Sequence, residues 1–429
     1  MSSPTYRPRL VTAFLWITLW LLSRFIIFLL WSSDENYITS DVIYYYYQFT
    51  EHGWRSSLVE YPTPIAAFIA ILAMMSSSVD SFIALFICFM CCLDGLTSLA
   101  MWRSGYRKAG VYWAVFMFFV GPLMWTRVDL LSAIPVAYSL IWLTSRPHWS
   151  GSMIAVGAST KLWPAILIAP LIGRDSMGRK RLFSFLCTGG ILGLASIAFF
   201  GWHRSYSPLT WQGDRGLQIE SVFASVPMLL RALYLDGGYH VDFSAYNAWE
   251  IFGPSVKGWQ HTASLTMSAT FVIAALLAWM IAFRPRWKDC PVNVHICDER
   301  SFAIALAITT IIAWVIVSNK TFSPQYIIWL AGPLAVLASL ARSPWQRSLA
   351  TLCCICGLIL AIATHLIFPI YYGPLITPGD LTMTVTLLLI GRNVLMVLFA
   401  IGTLLAAIQH ARMINRMAKI SSDDTSAIL

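Results

Sequence analysis

Asp41 lies in the stretch Ile38-Thr39-Ser40-Asp41-Val42, just after the first apolar span, and Glu60-Tyr61-Pro62 closes the same polar loop. A carboxylate at the edge of a low-dielectric region has its proton affinity raised by desolvation and lowered by nearby cations. Between those limits it can serve as a base near neutral pH. The plain alternative is a solvated loop aspartate, or the cap of a helix running through Val42 to Tyr47. Glu60 and Asp129 are acids of second rank, and Asp94, deep in an apolar stretch, reads as the partner of a buried hydroxyl or cation. Five cations accompany them: Arg24, Arg127, Lys161, Lys320 and Arg392. Charges at membrane depth are costly, so they line a cavity, pair with Asp94, Asp129 or Asp41, or snorkel to the interface. A phosphate would account for several together, because Arg and Lys donate charge-assisted hydrogen bonds to phosphoryl oxygens.

The elements that must hold these residues are membrane helices. Of 429 residues 58% are hydrophobic and 11% charged, which excludes a soluble fold. Apolar stretches of about 20 residues recur, the length of a helix crossing a roughly 30 Å hydrocarbon core. Their hydrophobicity is continuous rather than alternating, which selects helices over a barrel. The expected fold class is thus an all-α polytopic membrane protein with about 11–13 transmembrane helices plus re-entrant or interfacial elements. The first span, Leu10 to Trp31, is expected to be retained: it is long for a signal peptide and lacks a small-residue cleavage site.

Cytoplasmic loops carry the excess of Lys and Arg, so Arg7/Arg9 place the N-terminus inside and the Asp41 loop outside. The clusters Arg103/Arg107/Lys108, Arg174/Arg179/Lys180/Arg181, Arg284/Arg286/Lys288 and Arg412/Arg416/Lys419 fall inside as well. That orientation requires Pro62 to Met75 to be interfacial or re-entrant, since it is short for a span. It also requires Gly151 to Ile172 to leave and return as two half-helices broken around Lys161-Leu162-Trp163-Pro164, where Pro removes a donor. The turn Thr126 to Asp129, the loop Gly201 to His261 and the segment Asn319 to Tyr326 then lie outside with Asp41. Residues 1–416 are expected to form one transmembrane catalytic domain, with a first external loop at 32–79 and a large one at 201–262. A polar cytoplasmic tail, 417–429, is expected to be disordered. The net charge of +9 is mainly topogenic; it concerns membrane lipids and gives no sign of nucleic acid.

Cys88, Cys91, Cys92, Cys187, Cys353, Cys354 and Cys356 sit in apolar spans and behave as small hydrophobes. Cys290, His295 and Cys297 form a loose trio that lacks the tight pairing and fourth ligand of a zinc site, so no metal is expected there.

Four pieces of the chain, in this order and on one face, resemble the GT-C superfamily of integral membrane glycosyltransferases. They are Asp41 with Glu60-Tyr61-Pro62; Lys161-Leu162-Trp163-Pro164; Arg215-Gly216-Leu217-Gln218-Ile219-Glu220-Ser221; and Lys320-Thr321-Phe322-Ser323-Pro324-Gln325-Tyr326 ahead of Trp329. Within that superfamily the chain is similar to bacterial polyprenyl-phosphomannose-dependent mannosyltransferases, and more distantly to the catalytic subunit of GPI mannosyltransferase I. The resemblance implies inverting transfer of a sugar, mannose above all, from a polyprenyl-phosphate donor to a glycolipid or lipoglycan acceptor of the cell envelope. It implies Asp41 as general base; Lys161, Lys320, Arg392, Arg127 and Arg24 as donor-phosphate contacts; and Glu60, Tyr61, Asp129, Arg215, Gln218, Glu220 and Gln325 as substrate contacts. Some members carry a paired Asp-x-Asp in the first loop, whereas this chain has Ser40-Asp41-Val42-Ile43, so no cofactor is expected and a divalent metal is not favoured. The implied location is a bacterial cell membrane, with the active site on the external face. A transporter or flippase of a lipid-linked sugar is the chief rival, disfavoured by the absence of a repeat and by polar residues crowded toward one face. An inactive scaffold subunit, or an arabinofuranosyl- or glucosyltransferase of the same fold, remains open.

Overall fold

Continuous apolar runs, punctuated by prolines where polar residues cluster, dictate both the helices and their breaks. The computed structural model describes residues 7–33, 38–104, 106–234, 237–283 and 294–426. Helix α1 is Arg7–Ser32, followed by α2 (Ser40–Ser56), α3 (Thr63–Met74), α4 (Val79–Arg103), α5 (Arg107–Val120), α6 (Asp129–Ile141), α7 (Pro147–Thr160) and α8 (Ser176–Phe200). The large loop carries α9 (Trp202–Asp214), α10 (Ser225–Leu233) and a hairpin of β1 (His240–Phe243) and β2 (Trp249–Phe252), paired antiparallel with His240 opposite Phe252. Then come α11 (Val256–Ala278), α12 (Val294–Ser318), α13 (Ala331–Leu340), α14 (Pro344–His365), the short α15 (Gly373–Ile376) and α16 (Thr382–Ser426).

Two long helices mark inside and outside of the bundle. In α12, 94% of the apolar window is buried, and the helix packs against α11, α13 and α16. In α8 only 6% is buried, leaving Phe183, Ile191, Leu194 and Phe199 on the surface. An apolar surface of that extent needs a hydrocarbon environment. The chain is an all-α polytopic membrane protein, the small hairpin aside.

Seven helices among the described residues are individually long and apolar enough to cross a membrane, and four shorter apolar ones accompany them. The larger expected number counts crossings interrupted by proline. After α5 the chain turns through Gly121 at φ +71° into a tight 3-10 segment, Gly121–Met124, with Pro122 at its start. Between α7 and the 3-10 segment Trp163–Leu171, Lys161 is extended and Pro164 restarts the winding. Between α12 and α13 a third such segment, Pro324–Leu330, opens on proline. Irregular backbone at membrane depth persists only where protein or a cavity satisfies it, and these breaks adjoin Arg127, Lys161 and Lys320. Helix α3 is short, and the stretch from Gly151 to Ile172 is broken at Lys161, where α7 gives way to the 3-10 segment.

Helix α16 continues to Ser426, through most of the tail expected to be disordered; no Gly or Pro interrupts 417–426. Cys290 and the cluster Arg284/Arg286/Lys288 lie outside the described residues, as do the side chains of His295 and Cys297.

Candidate active site

Asp41 sits in the first turn of α2, whose inner face buries Val42 and Tyr45. Its Oδ2 lies 2.8 Å from Arg127 Nε in an ion pair, and its side chain is 35% exposed. Arg127 is itself held by the carbonyls of Ile38 (2.8 Å) and Thr126 (2.9 Å), so it fixes the carboxylate's orientation from behind. One helical turn on, Tyr44 donates its hydroxyl to Glu60 Oε1 at 3.0 Å, and Tyr45 and Tyr61 share a hydroxyl contact of 3.3 Å. Glu60 Oε2 is buried without a hydrogen-bond partner. Burial pushes the Glu60 carboxyl above its ordinary range, outweighing the Tyr44 hydrogen bond and the charges of Arg204 and Arg215. Burial and the neighbouring carboxylates likewise push the Tyr44 phenol up.

Lys161, at the break after α7, donates to both Asp129 oxygens at 2.8 Å. Its ammonium lies over the rings of Tyr326 (5.0 Å), Tyr61 (5.7 Å) and Trp329 (5.8 Å). Trp329 donates its indole N–H to Asp129 at 2.7 Å and stacks on Trp163 with centroids 4.4 Å apart. Lys320 donates to the Gly213 carbonyl at 2.8 Å. Arg215 Nε is buried with no hydrogen-bond partner.

These groups meet in one cavity of about 580 Å³, lined by Asp41, Tyr44, Glu60, Tyr61, Lys161, Arg215, Lys320 and Gln325 among others. The volume suits a small ligand with a charged group. Leu209 and Phe271 line it as well while also being exposed, so one flank is apolar and faces outward. Carboxylates, the unsatisfied Arg215 Nε, two lysines and aromatic faces in one partly desolvated space can hold an anion and take a proton from a hydroxyl.

Several expected contacts lie elsewhere. Arg24 is saturated: Nε and Nη2 bond Asp94 at 2.7 and 2.8 Å, and Nη1 bonds Ser23 and Ala114. Arg392 pairs with Glu220 at 3.0 Å, both side chains fully buried; its Nη2 also donates to the Glu220 carbonyl, and Asn393 Oδ1 accepts from Nε and Nη2. Arg24, Arg392 and Glu220 are not among the residues lining the cavity. Gln218 is a structural pin: its N–H bonds the Lys320 carbonyl and its Oε1 accepts from Ser323, holding the Lys320 loop to the hairpin. Asp129, 1% exposed, lies behind the cavity wall and is bonded to Lys161. Trp163, Trp211, Tyr246 and Asn247 also line the cavity. Trp163 belongs to the motif Lys161-Leu162-Trp163-Pro164; sequence reasoning passed over Trp211, Tyr246 and Asn247 because no local pattern separates them from the other interfacial aromatics and loop residues.

The family model of glycosyltransferase family 87 matches residues 60–297, more than half of the chain. That stretch contains Glu60, Lys161 and Arg215, while Asp41 and Lys320 flank it. No curated protein and no solved structure matches the chain. With a polytopic fold and this family match together, the chain belongs to glycosyltransferase family 87, a GT-C-type family of membrane glycosyltransferases.

Proposed function

We propose that the chain transfers a mannosyl group, with inversion, from a polyprenyl-phosphate donor to a hydroxyl of a glycolipid or lipoglycan on the external face of a cell membrane. The observation that carries this reading is the single cavity gathering Asp41, Glu60, Lys161, Arg215 and Lys320 beside an outward apolar flank. Asp41 Oδ1 takes the acceptor proton while Arg127 holds Oδ2. The acceptor oxygen forms a bond to the anomeric carbon as the bond from that carbon to the phosphate oxygen breaks. Polyprenyl phosphate leaves with the electron pair, and the transferred proton stays on Asp41 until solvent removes it.

Arg215 supplies the donors left unsatisfied in the protein, and Lys320 and Lys161 supply charge nearby. Cations positioned for the charge developing on the leaving phosphate are the principal means of stabilising such a transition state. Leu209 and Phe271 provide an apolar flank for the polyprenyl chain. The external placement rests on the basic clusters at the opposite loop ends.

The test is transfer in membranes offered several polyprenyl-phosphate sugars, with product masses identifying the donor used. Asp41→Asn is expected to lower transfer by about 100-fold or more. Full activity in that variant would remove Asp41 as the base, and no transfer from any polyprenyl-phosphate sugar would remove the donor class.

A further inference from the structure

We propose that α9 is a clamp that sets Glu60 and Tyr61 in the cavity, with Arg204 and Ser207 as its positioning residues; this rests on the reading of the cavity as the active site. The turn between α2 and α3 has five carbonyls from Ser57 to Tyr61, and one face of α9 captures four of them. Arg204 Nη2 donates to Ser57 (3.0 Å) and Leu58 (2.7 Å), and Nη1 donates to Tyr61 (3.1 Å). Ser207 Oγ donates to Val59 at 2.7 Å and also accepts from Arg204 Nη1 at 3.2 Å. Arg204 is 7% exposed, so these bonds form away from water.

The turn needs such a clamp. Leu58 stands at φ +52°, a left-handed backbone that a leucine rarely adopts, with its side chain fully buried. A residue in that conformation persists only where its surroundings over-determine it. The strain is placed directly before Val59-Glu60-Tyr61, whose last two side chains enter the cavity. A guanidinium is suited to the task because its planar fork serves several carbonyls at fixed angles, which an ammonium on a flexible stem does not.

The opposite face of α9 shows what steadies the clamp. Trp202, Tyr206 and Leu209 recur at one-face helical spacing and are 70%, 50% and 54% exposed. Trp and Tyr on the outer face of a helix just beyond a membrane span belong at the headgroup level. Below it, Ser196 of α8 is hydrogen-bonded to Thr63, the first residue of α3. The helix thus lies between the bilayer surface and the turn, and passes the position of one to the other.

The test uses the full chain in proteoliposomes with a polyprenyl-phosphate sugar and its acceptor. Arg204→Gln is expected to lower kcat by about 100-fold, the effect of a displacement of about 1 Å at a reacting centre. Donor KM should stay within about threefold, because the cationic donors of the cavity are untouched. Arg204→Lys should fall between the two, and guanidinium ion added to Arg204→Ala should restore part of the rate. Wild-type kcat in Arg204→Gln, with only a lower melting temperature, overturns the proposal by making Arg204 purely structural. If Arg204→Gln fails to accumulate in membranes, Ser207→Ala decides: a several-fold lower kcat at unchanged donor KM supports the clamp, and wild-type kinetics overturn it. Asp41→Asn and Glu60→Gln are run alongside. Wild-type rates in both remove the reading of the cavity and the clamp with it; loss in both beside an intact Arg204→Gln removes the clamp alone.

Discussion

Two kinds of charge are withdrawn from water in this protein, wholly or in part. Arg24–Asp94 and Arg392–Glu220 are paired away from the cavity: every guanidinium nitrogen has a partner, with Trp113 donating to Asp94 and Asn393 accepting from Arg392, although Glu220 Oε1 is left without one. The charges around the cavity are open. Asp41 gives one oxygen to Arg127, Glu60 Oε2 has no partner, and Arg215 Nε is buried without one. Both arrangements answer the cost of charge in a membrane, but the two pairs hold helices together while the open set retains capacity for something absent from the fold itself. Burial alone does not separate them. What separates them is place: Asp41, Glu60 and Arg215 line the cavity, whereas the two pairs lie away from it.

The sharpest break of that comparison is Asp41→Asn against Asp94→Asn. The first should cost about 100- to 10,000-fold in transfer rate with the protein still folded, read as kcat in a monodisperse preparation. The second should cost about 3–5 kcal/mol of stability, because removing one partner strands a buried charge. It should leave the KM of whatever protein remains folded unchanged; thermal unfolding in detergent and residual kinetics check both halves.

Arginine offers a smaller contrast. Arg215→Ala should raise donor KM about tenfold or more, the loss of a charge-assisted hydrogen bond of about 1.5–3 kcal/mol, whereas Arg392→Ala should lower the melting temperature and leave donor KM alone. Equal donor KM values for the two variants would erase the distinction between open and paired charge.

The mildest test is pH. Burial raises the Glu60 pKa, so on acidification Glu60 takes up its proton at a higher pH than an exposed glutamate. If its carboxylate is required, transfer declines at that higher pH, and Glu60→Gln removes this step from the acid limb of the rate profile. Stability runs the other way. The folded protein binds this proton more tightly than the unfolded chain, so the contribution is fully present below the unfolded pKa and is lost as pH rises through the folded one.

Much of the open set was legible in the sequence because polar residues interrupt apolar stretches at prolines: Lys161 before Pro164, Lys320 before Pro324, Glu60 before Pro62. The paired set was legible in part: Asp94, an acid deep in an apolar stretch, reads as a cation's partner, but no local pattern announces that the cation is Arg24, 70 residues away, or that Arg392 finds Glu220, 172 residues away. Arg204 was harder still, since its partners are backbone carbonyls some 143 to 147 residues upstream that carry no side-chain signature. The crossings were legible where one helix spans unbroken, as in α4, and ambiguous where α5, α7 and α12 give way to 3-10 segments.

The stack of Trp163 on Trp329, 4.4 Å between centroids and tilted by 17°, gives the cavity an optical reporter of its own. Both indoles line the space and Trp329 is hydrogen-bonded to Asp129, so an anion arriving beside Lys161 changes the field across them. Emission wavelength and near-ultraviolet dichroism should then follow occupancy without any label. Against the 19 tryptophans of the chain, Trp163→Phe supplies the blank to subtract.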